Sequence, residues 1–386
     1  MAYVARASGQ RLNGRTERGR WAVTPNPALT PSKGEGFYET GDAGMSVLTE
    51  DRIAGYIATK LDGAKNVQVD SLSQIVGGAS RETYRFRLAY DAPTGPVERR
   101  LILRRDPPDS LIDTERHIEF AAYRAFFGSA VPVPEMLWLE QDAGPLDYPF
   151  FVAAEISGFE SSPMALLAPP YADHAERLAE RKWTILGEIA KADPAAVGLA
   201  AVMDEVEPDQ CWRHELDHWE GIIDADELEP QPIIRAAIRW LRAHPPAPPK
   251  KVGVVHGDYR TGNFLYDAQG EIHGILDWEM AHLGDPLEDL GWSLNRIWCW
   301  GADDRRGGLV PREQAIAIWE RASGLAANPA DLHWWELFNC VKGQGIWISS
   351  AKAWSDGANR EPILAFSAWR MLNSTDRAAL ELMGRL

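Results

Sequence analysis

Apolar positions along the chain follow two regimes that meet near residue 158. Before it, they fall mostly in short runs of strand length; after it, they recur at helical spacing. The first ordered pattern starts at Leu48. Thr49 is placed to cap a helix whose apolar side is Ile53, Ile57 and Leu61. Residues 67–73 and 84–90 read as strands on either side of a glycine-bearing turn, and 101–105 as a third strand. Residues 114–127 read as a helix with Ile118, Ala121, Ala122 and Ala125 on its apolar face. The Val131-Pro132-Val133-Pro134 segment closes that helix, and extended runs follow at 136–140 and 149–158.

The second half reads as helices at 171–191, 210–223 and 232–243, ended by the proline cluster 245–249. Three short apolar runs then appear, at 252–255, 264–266 and 272–276, the last two joined by the turn Asp267-Ala268-Gln269-Gly270. At 284–290 Asp285 is placed as a cap and Pro286 at the first helical position. Helices at 314–323, 331–350 and 363–383 complete the pattern. Residues 1–44 have no period and are rich in Gly, Arg, Ser, Thr and Pro. The expectation there is a disordered or extended segment. A start misassigned upstream of Met45 is another reading. A transit peptide is a third, without a clear amphipathic stripe to support it.

Composition narrows the class. The chain has 386 residues, 45% of them hydrophobic, enough for a large core. A formal net charge of −16 argues against a nucleic-acid partner and is compatible with cationic substrates. Cys211, Cys299 and Cys340 are scattered, which points to a reducing compartment and a cytoplasmic protein. No apolar run reaches membrane length, so no membrane association is expected. No repeat or heptad is evident, and the sequence carries no signal of oligomeric state.

The chemistry concentrates between residues 252 and 279. A short strand leads into His256-Gly257-Asp258, Asn263 follows five residues after the aspartate, and a hairpin delivers Asp277. Asp258 is placed to accept a proton; Asn263 and Asp277 offer the hard oxygen ligands that Mg²⁺ prefers. Phosphoryl transfer from a nucleotide requires such a set, since its catalysis is mostly positioning and charge stabilisation. The order Asp-x4-Asn followed by a distal Asp matches a kinase catalytic loop and metal-binding aspartate, although Ile275-Leu276-Asp277-Trp278-Glu279 replaces Asp-Phe-Gly. With His256-Gly257-Asp258-Tyr259-Arg260-Thr261-Gly262-Asn263 in front, the chain resembles the aminoglycoside phosphotransferase family of kinase-like enzymes. Its nearest flavour within that family is the kinase-like domain fused to some acyl-CoA dehydrogenases.

The resemblance implies an α+β, bilobal, protein-kinase-like fold. Residues 45–157 would form a small β-rich lobe and 158–386 a larger, mostly helical one. It implies ATP or another NTP as co-substrate, Mg²⁺, and a small-molecule hydroxyl acceptor. That acceptor could be aminoglycoside-like, a sugar or amino alcohol, or a hydroxyacyl thioester. A nucleotide-binding pseudokinase or regulatory module is the alternative. Gly77, Gly78 and Ser80 would cover the phosphates, with Arg104 holding them in place of the usual lysine and Arg105 as the other candidate. Glu119, or Glu115 one turn earlier, would pair with that cation. Ala154, Glu155 and Ile156 would form the adenine-binding hinge. His256 would fix the loop, and Asp289, on the following helix, would accept the loop's backbone N–H groups. Trp298, Trp300 and Trp347 are candidates for the acceptor pocket.

Overall fold

The computed structural model describes residues 48–75, 82–105, 116–301, 304–357, 359 and 361–386. The expectations for residues 1–44 and for Gly77, Gly78, Ser80 and Glu115 lie outside them. The described chain is bilobal and α+β, with a five-stranded antiparallel sheet in the small lobe and a helical large lobe.

Helix α1 (Glu50–Ala58) starts where the cap pattern places it, with Thr49 Oγ1 accepting the Arg52 N–H. It ends a turn before Leu61. Strands β1 (Lys65–Ile75), β2 (Glu82–Ala92), β3 (Gly95–Arg105), β4 (Met136–Glu140) and β5 (Phe150–Ala154) pair in the order β1-β2-β3-β5-β4. Strand β3 is longer than its apolar run because the Ala92–Gly95 hairpin pairs its polar first half as well. The two-residue alternation of β3 decides where its arginines go. Leu101, Leu103 and Arg105 face α1 in a small core with Ile53, Ile57, Phe86 and Phe150. Arg104 points to the other side.

Helix α2 (Arg116–Phe126) corrects the reading of its apolar face. Phe120, Tyr123 and Phe126 are buried together with Glu119 and the expected Ala122, while Ile118, Ala121 and Ala125 are only partly buried. Its partners are Phe151 of the sheet and Trp278 of the large lobe, so aromatic volume rather than alanine spacing orients it.

The large lobe comprises α3 (Ala175–Lys191), α4 (Cys211–Asp226), α5 (Pro232–Ala243), α6 (Leu287–Leu294), α7 (Arg312–Ser323), α8 (Pro329–Asp356) and α9 (Pro362–Leu382). Asp285 Oδ1 accepts the Leu287 N–H and so caps α6. Two small ribbons lie at the lobe's upper edge. One pairs β6 (Gly253–Val255) with β9 (His282–Gly284), a strand the sequence pattern did not suggest; the other pairs β7 (Phe264–Tyr266) with β8 (Ile272–Ile275). A large continuous core joins these ribbons, α2 and the helices. Among the described residues, no helix is long and apolar enough to cross a membrane.

Candidate active site

The hairpin of β7 and β8 sets the first distance that matters. Phe264 pairs with Ile275, and Leu276 N–H donates to the Asn263 carbonyl at 2.8 Å. Asn263 and Asp277 therefore leave the same end of the ribbon. Asp277 takes a left-handed backbone, φ 69°, which aspartate tolerates better than bulkier residues. Its N–H donates to the Tyr123 hydroxyl at 2.8 Å, which ties it to α2.

The loop between β6 and β7 carries Asp258. Gly257 has φ 85°, and a Cβ there would lie 2.3 Å from the Met280 carbonyl oxygen, so only glycine fits. His256 is fully buried. Its Nδ1 accepts the Asp258 N–H at 3.1 Å, and its Nε2 donates to the Leu276 carbonyl at 3.0 Å. Burial lowers its pKa to about 4, so the ring is neutral and this tautomer is the one both bonds require. Asp289 lies beneath. Its two oxygens accept the N–H groups of His256, at 2.6 Å, and of Gly257, at 3.0 Å. Burial pushes the Asp289 carboxyl up to about 6, against the pull of those two donors.

The Asp258 carboxylate meets three donors. Trp292 Nε1 reaches Oδ1 at 2.7 Å, Asn263 Nδ2 reaches Oδ2 at 2.6 Å, and Arg260 Nε lies 3.0 and 3.1 Å from the two oxygens. Burial raises its pKa above the ordinary carboxylate range, while Arg260, Trp292 and Asn263 oppose the rise.

Arg104 crosses the cleft. Nη1 donates to Glu119 Oε1 at 2.6 Å and Nη2 to Asp277 Oδ1 at 3.1 Å, with Glu279 Oε2 3.6 Å away. Glu119 is fully buried. Burial opposes ionisation of Asp277, but the Arg104 guanidinium holds its carboxyl below the ordinary range. Arg105, on the opposite face of β3, bonds Glu82 and the Leu146 carbonyl instead. In the hinge, Ala154 N–H donates to the Glu135 carbonyl, Glu155 N–H to the Arg100 carbonyl, and the Glu155 carboxylate pairs with Arg100 and Arg85. Of these three hinge residues, Ile156 keeps a backbone N–H without a protein acceptor among the described residues.

Sequence reasoning missed Trp292, Arg260, Tyr123 and Glu279. Trp292 was findable, because it lies three residues after Asp289 and so on the same face of α6. It also missed a buried tetrad behind Asp289. There Lys342 Nζ donates to Glu288 Oε1 at 2.8 Å, and His282 Nε2 lies 3.1 Å from Glu288 and 3.6 Å from Glu215. Burial works to lower the His282 pKa, but Glu215 and Glu288 beside it hold it up at about 10. Trp298 and Trp347 pack edge to face at 6.3 Å, Trp300 lies 5.7 Å from Trp298, and Trp298 lies 5.1 Å from Trp292.

A model of the phosphotransferase enzyme family matches residues 71–325, most of the chain. The chain belongs to the phosphotransferase enzyme family. In this family member, residues 71–325 run from within β1 through the loop that carries Asp258 to just past α7. It is 28% identical over 251 residues to acyl-CoA dehydrogenase family member 10 of Mus musculus, covering 64% of this chain but only 22% of that relative. Its fold is that of a protein from Ralstonia eutropha JMP134 described as an aminoglycoside phosphotransferase, at TM-score 0.67 and 19% identity over 87% of this chain and 98% of the other. The aminoglycoside phosphotransferase APH(4)-Ia, in a ternary complex with ADP and hygromycin B, superposes at TM-score 0.52 and 18% identity, over 84% and 98%.

Proposed function

We propose that the chain transfers a phosphoryl group from ATP, or another NTP, to the hydroxyl of a small molecule. The observation that carries this reading is the convergence of Asp258, Asn263 and Asp277 at one mouth, opposite the Arg104–Glu119 pair. The solved relative that holds ADP and hygromycin B supports a nucleotide and a small acceptor in the same cleft. Asp258 orients the acceptor hydroxyl and takes its proton, and its raised pKa brings it closer to the range a general base needs. Trp292 and Asn263 fix the orientation of the carboxylate. Arg104 steadies the phosphates as a planar fork, oriented by Glu119.

The donor set fits Mg²⁺. Asn263 uses its Nδ2 on Asp258, which leaves its carbonyl oxygen for a cation, and Asp277 adds a carboxylate. When bound, Mg²⁺ supplies neutralisation of phosphate charge.

The test is nucleotide consumption by the purified chain against three acceptor groups: aminoglycosides, sugars with amino alcohols, and hydroxyacyl thioesters. Acceptor-dependent release of ADP, with a phosphorylated product seen by mass spectrometry, is the expected result. Tight nucleotide binding with no transfer to any of them would replace this reading with a nucleotide-binding regulatory module.

A further inference from the structure

The mouth beside Asp258 holds a cation that the reading above does not use. Arg260 donates through Nε to both Asp258 oxygens and stacks on Trp298, its guanidinium carbon 4.9 Å from the ring centroid. Among the described residues, its Nη1 and Nη2 have no hydrogen-bond partner, and the side chain is 25% exposed. The fork is thus held at one edge by a carboxylate and on one face by a ring, with its outer N–H groups open.

The surroundings are rich in donors. Among the described residues, Trp298 Nε1, Arg306 Nε and the fully buried Lys182 Nζ are buried without hydrogen-bond partners. A Cβ at Gly307 would lie 2.7 Å from Lys182 Nζ and 3.0 Å from Thr261 Oγ1, which places that lysine under the same catalytic loop. Among the described residues, the acid paired with Arg306 is Asp304, which is 69% exposed and also faces Arg296. Unmet buried donors are destabilising, and their dipoles and charge favour a nearby anion over a nearby cation. A polycationic acceptor would add like charge to Arg260, while the carboxylates of the mouth, Asp258 and Asp277, already pair with Arg260 and Arg104.

The geometry points to Arg260 as the specificity-determining residue for the acceptor, through its Nη groups, favouring hydroxyl compounds with a carboxylate next to the reacting carbon and disfavouring amines. This inference rests on the phosphotransfer reading. A planar carboxylate matches the two open N–H groups bidentately while its neighbouring hydroxyl reaches Asp258. The acceptor preference is then opposite to the one that the chain's overall acidity suggests.

A matched series tests it: lactate, propylene glycol and isopropanolamine share a three-carbon frame and a secondary hydroxyl. For the wild type, kcat/KM for lactate should exceed that for propylene glycol at least about tenfold, the effect of one charge-assisted hydrogen bond, with the amine lowest. Arg260→Met should slow all three, because Arg260 also holds Asp258. Lactate should lose at least about tenfold more, through KM, and Arg260→Lys should keep part of the advantage. An unchanged ratio among the three acceptors, or a wild type that favours the amine, overturns the inference. Calorimetry with the same compounds separates the two readings. Arg260-dependent lactate binding without any transfer keeps the anion preference and sinks phosphotransfer to such acceptors. Lactate that binds wild type and Arg260→Met equally, or neither, sinks the preference.

Discussion

Arg104 Nη1 donates to Glu119 Oε1 at 2.6 Å, and the same guanidinium reaches Asp277 Oδ1 at 3.1 Å through Nη2. One planar group therefore links α2, β3 and the end of the β8 ribbon. A lysine carries its charge on a single nitrogen and cannot span both carboxylates with that geometry. Arg104→Lys and Glu119→Ala should each weaken nucleotide binding at least about tenfold, the scale of one lost charged hydrogen bond. Calorimetric titration with ATP and Mg²⁺ checks this; an unchanged Kd in both variants removes Arg104 from the phosphate site.

Asp258→Asn should lower kcat by at least about a hundredfold, the usual effect of losing a positioned base. Nucleotide affinity should persist, because the proposed role of Asp258 is toward the acceptor rather than the phosphates. Steady-state kinetics beside ATP titration decides the point, and near-normal turnover would count against the assignment.

Asp277→Ala should abolish the Mg²⁺-dependent part of ATP binding. In the wild type, EDTA should produce the same loss, since on the proposed reading the carboxylate would hold the metal that neutralises the phosphates. ATP affinity that is equal in both proteins with Mg²⁺ present would exclude Asp277 as a ligand.

Asp289→Ala should lower Tm and turnover together. It leaves the His256 and Gly257 N–H groups buried without an acceptor, at about 1–3 kcal/mol each. Asp289→Asn should recover only part of the loss, because one oxygen serves one donor and its NH₂ faces the other. A melting curve that matches the wild type's, with full activity, would refute the anchor.

His256 gives a pH signature. Its folded pKa is about 4, below the 6.5 of the free side chain, so the unfolded chain binds the proton more readily. Its contribution is complete above pH 6.5 and is lost as pH falls toward 4. Asp289, raised to about 6, works in the opposite direction over this window. The Tm gap between wild type and His256→Asn should therefore be measured as a difference, and it should narrow from pH 7 to pH 4. A gap that is constant with pH would mean the imidazole is not held neutral.

The sequence by itself determined the bilobal α+β class, most element positions, and the family. These rest on local signals: strand-length apolar runs, the caps at Thr49 and Asp285, the hairpin turn at Asp267–Gly270, and a fixed spacing from Asp258 to Asn263 on one loop. Tertiary structure alone decided which side chains meet across that spacing. Whether Arg104 or Arg105 enters the cleft depends on the face of β3 that packs on α1, which only the assembled small core sets. The face of α2 that turns inward follows from the fit of Phe126 on Trp278, more than a hundred residues away in sequence. Strand β9 is too short to have a period and exists because β6 offers it a backbone partner. Arg260 reads as a solvated loop arginine until Asp258 and Trp298 are brought to it. Long-range packing and burial determine these contacts, and neither is encoded in local spacing.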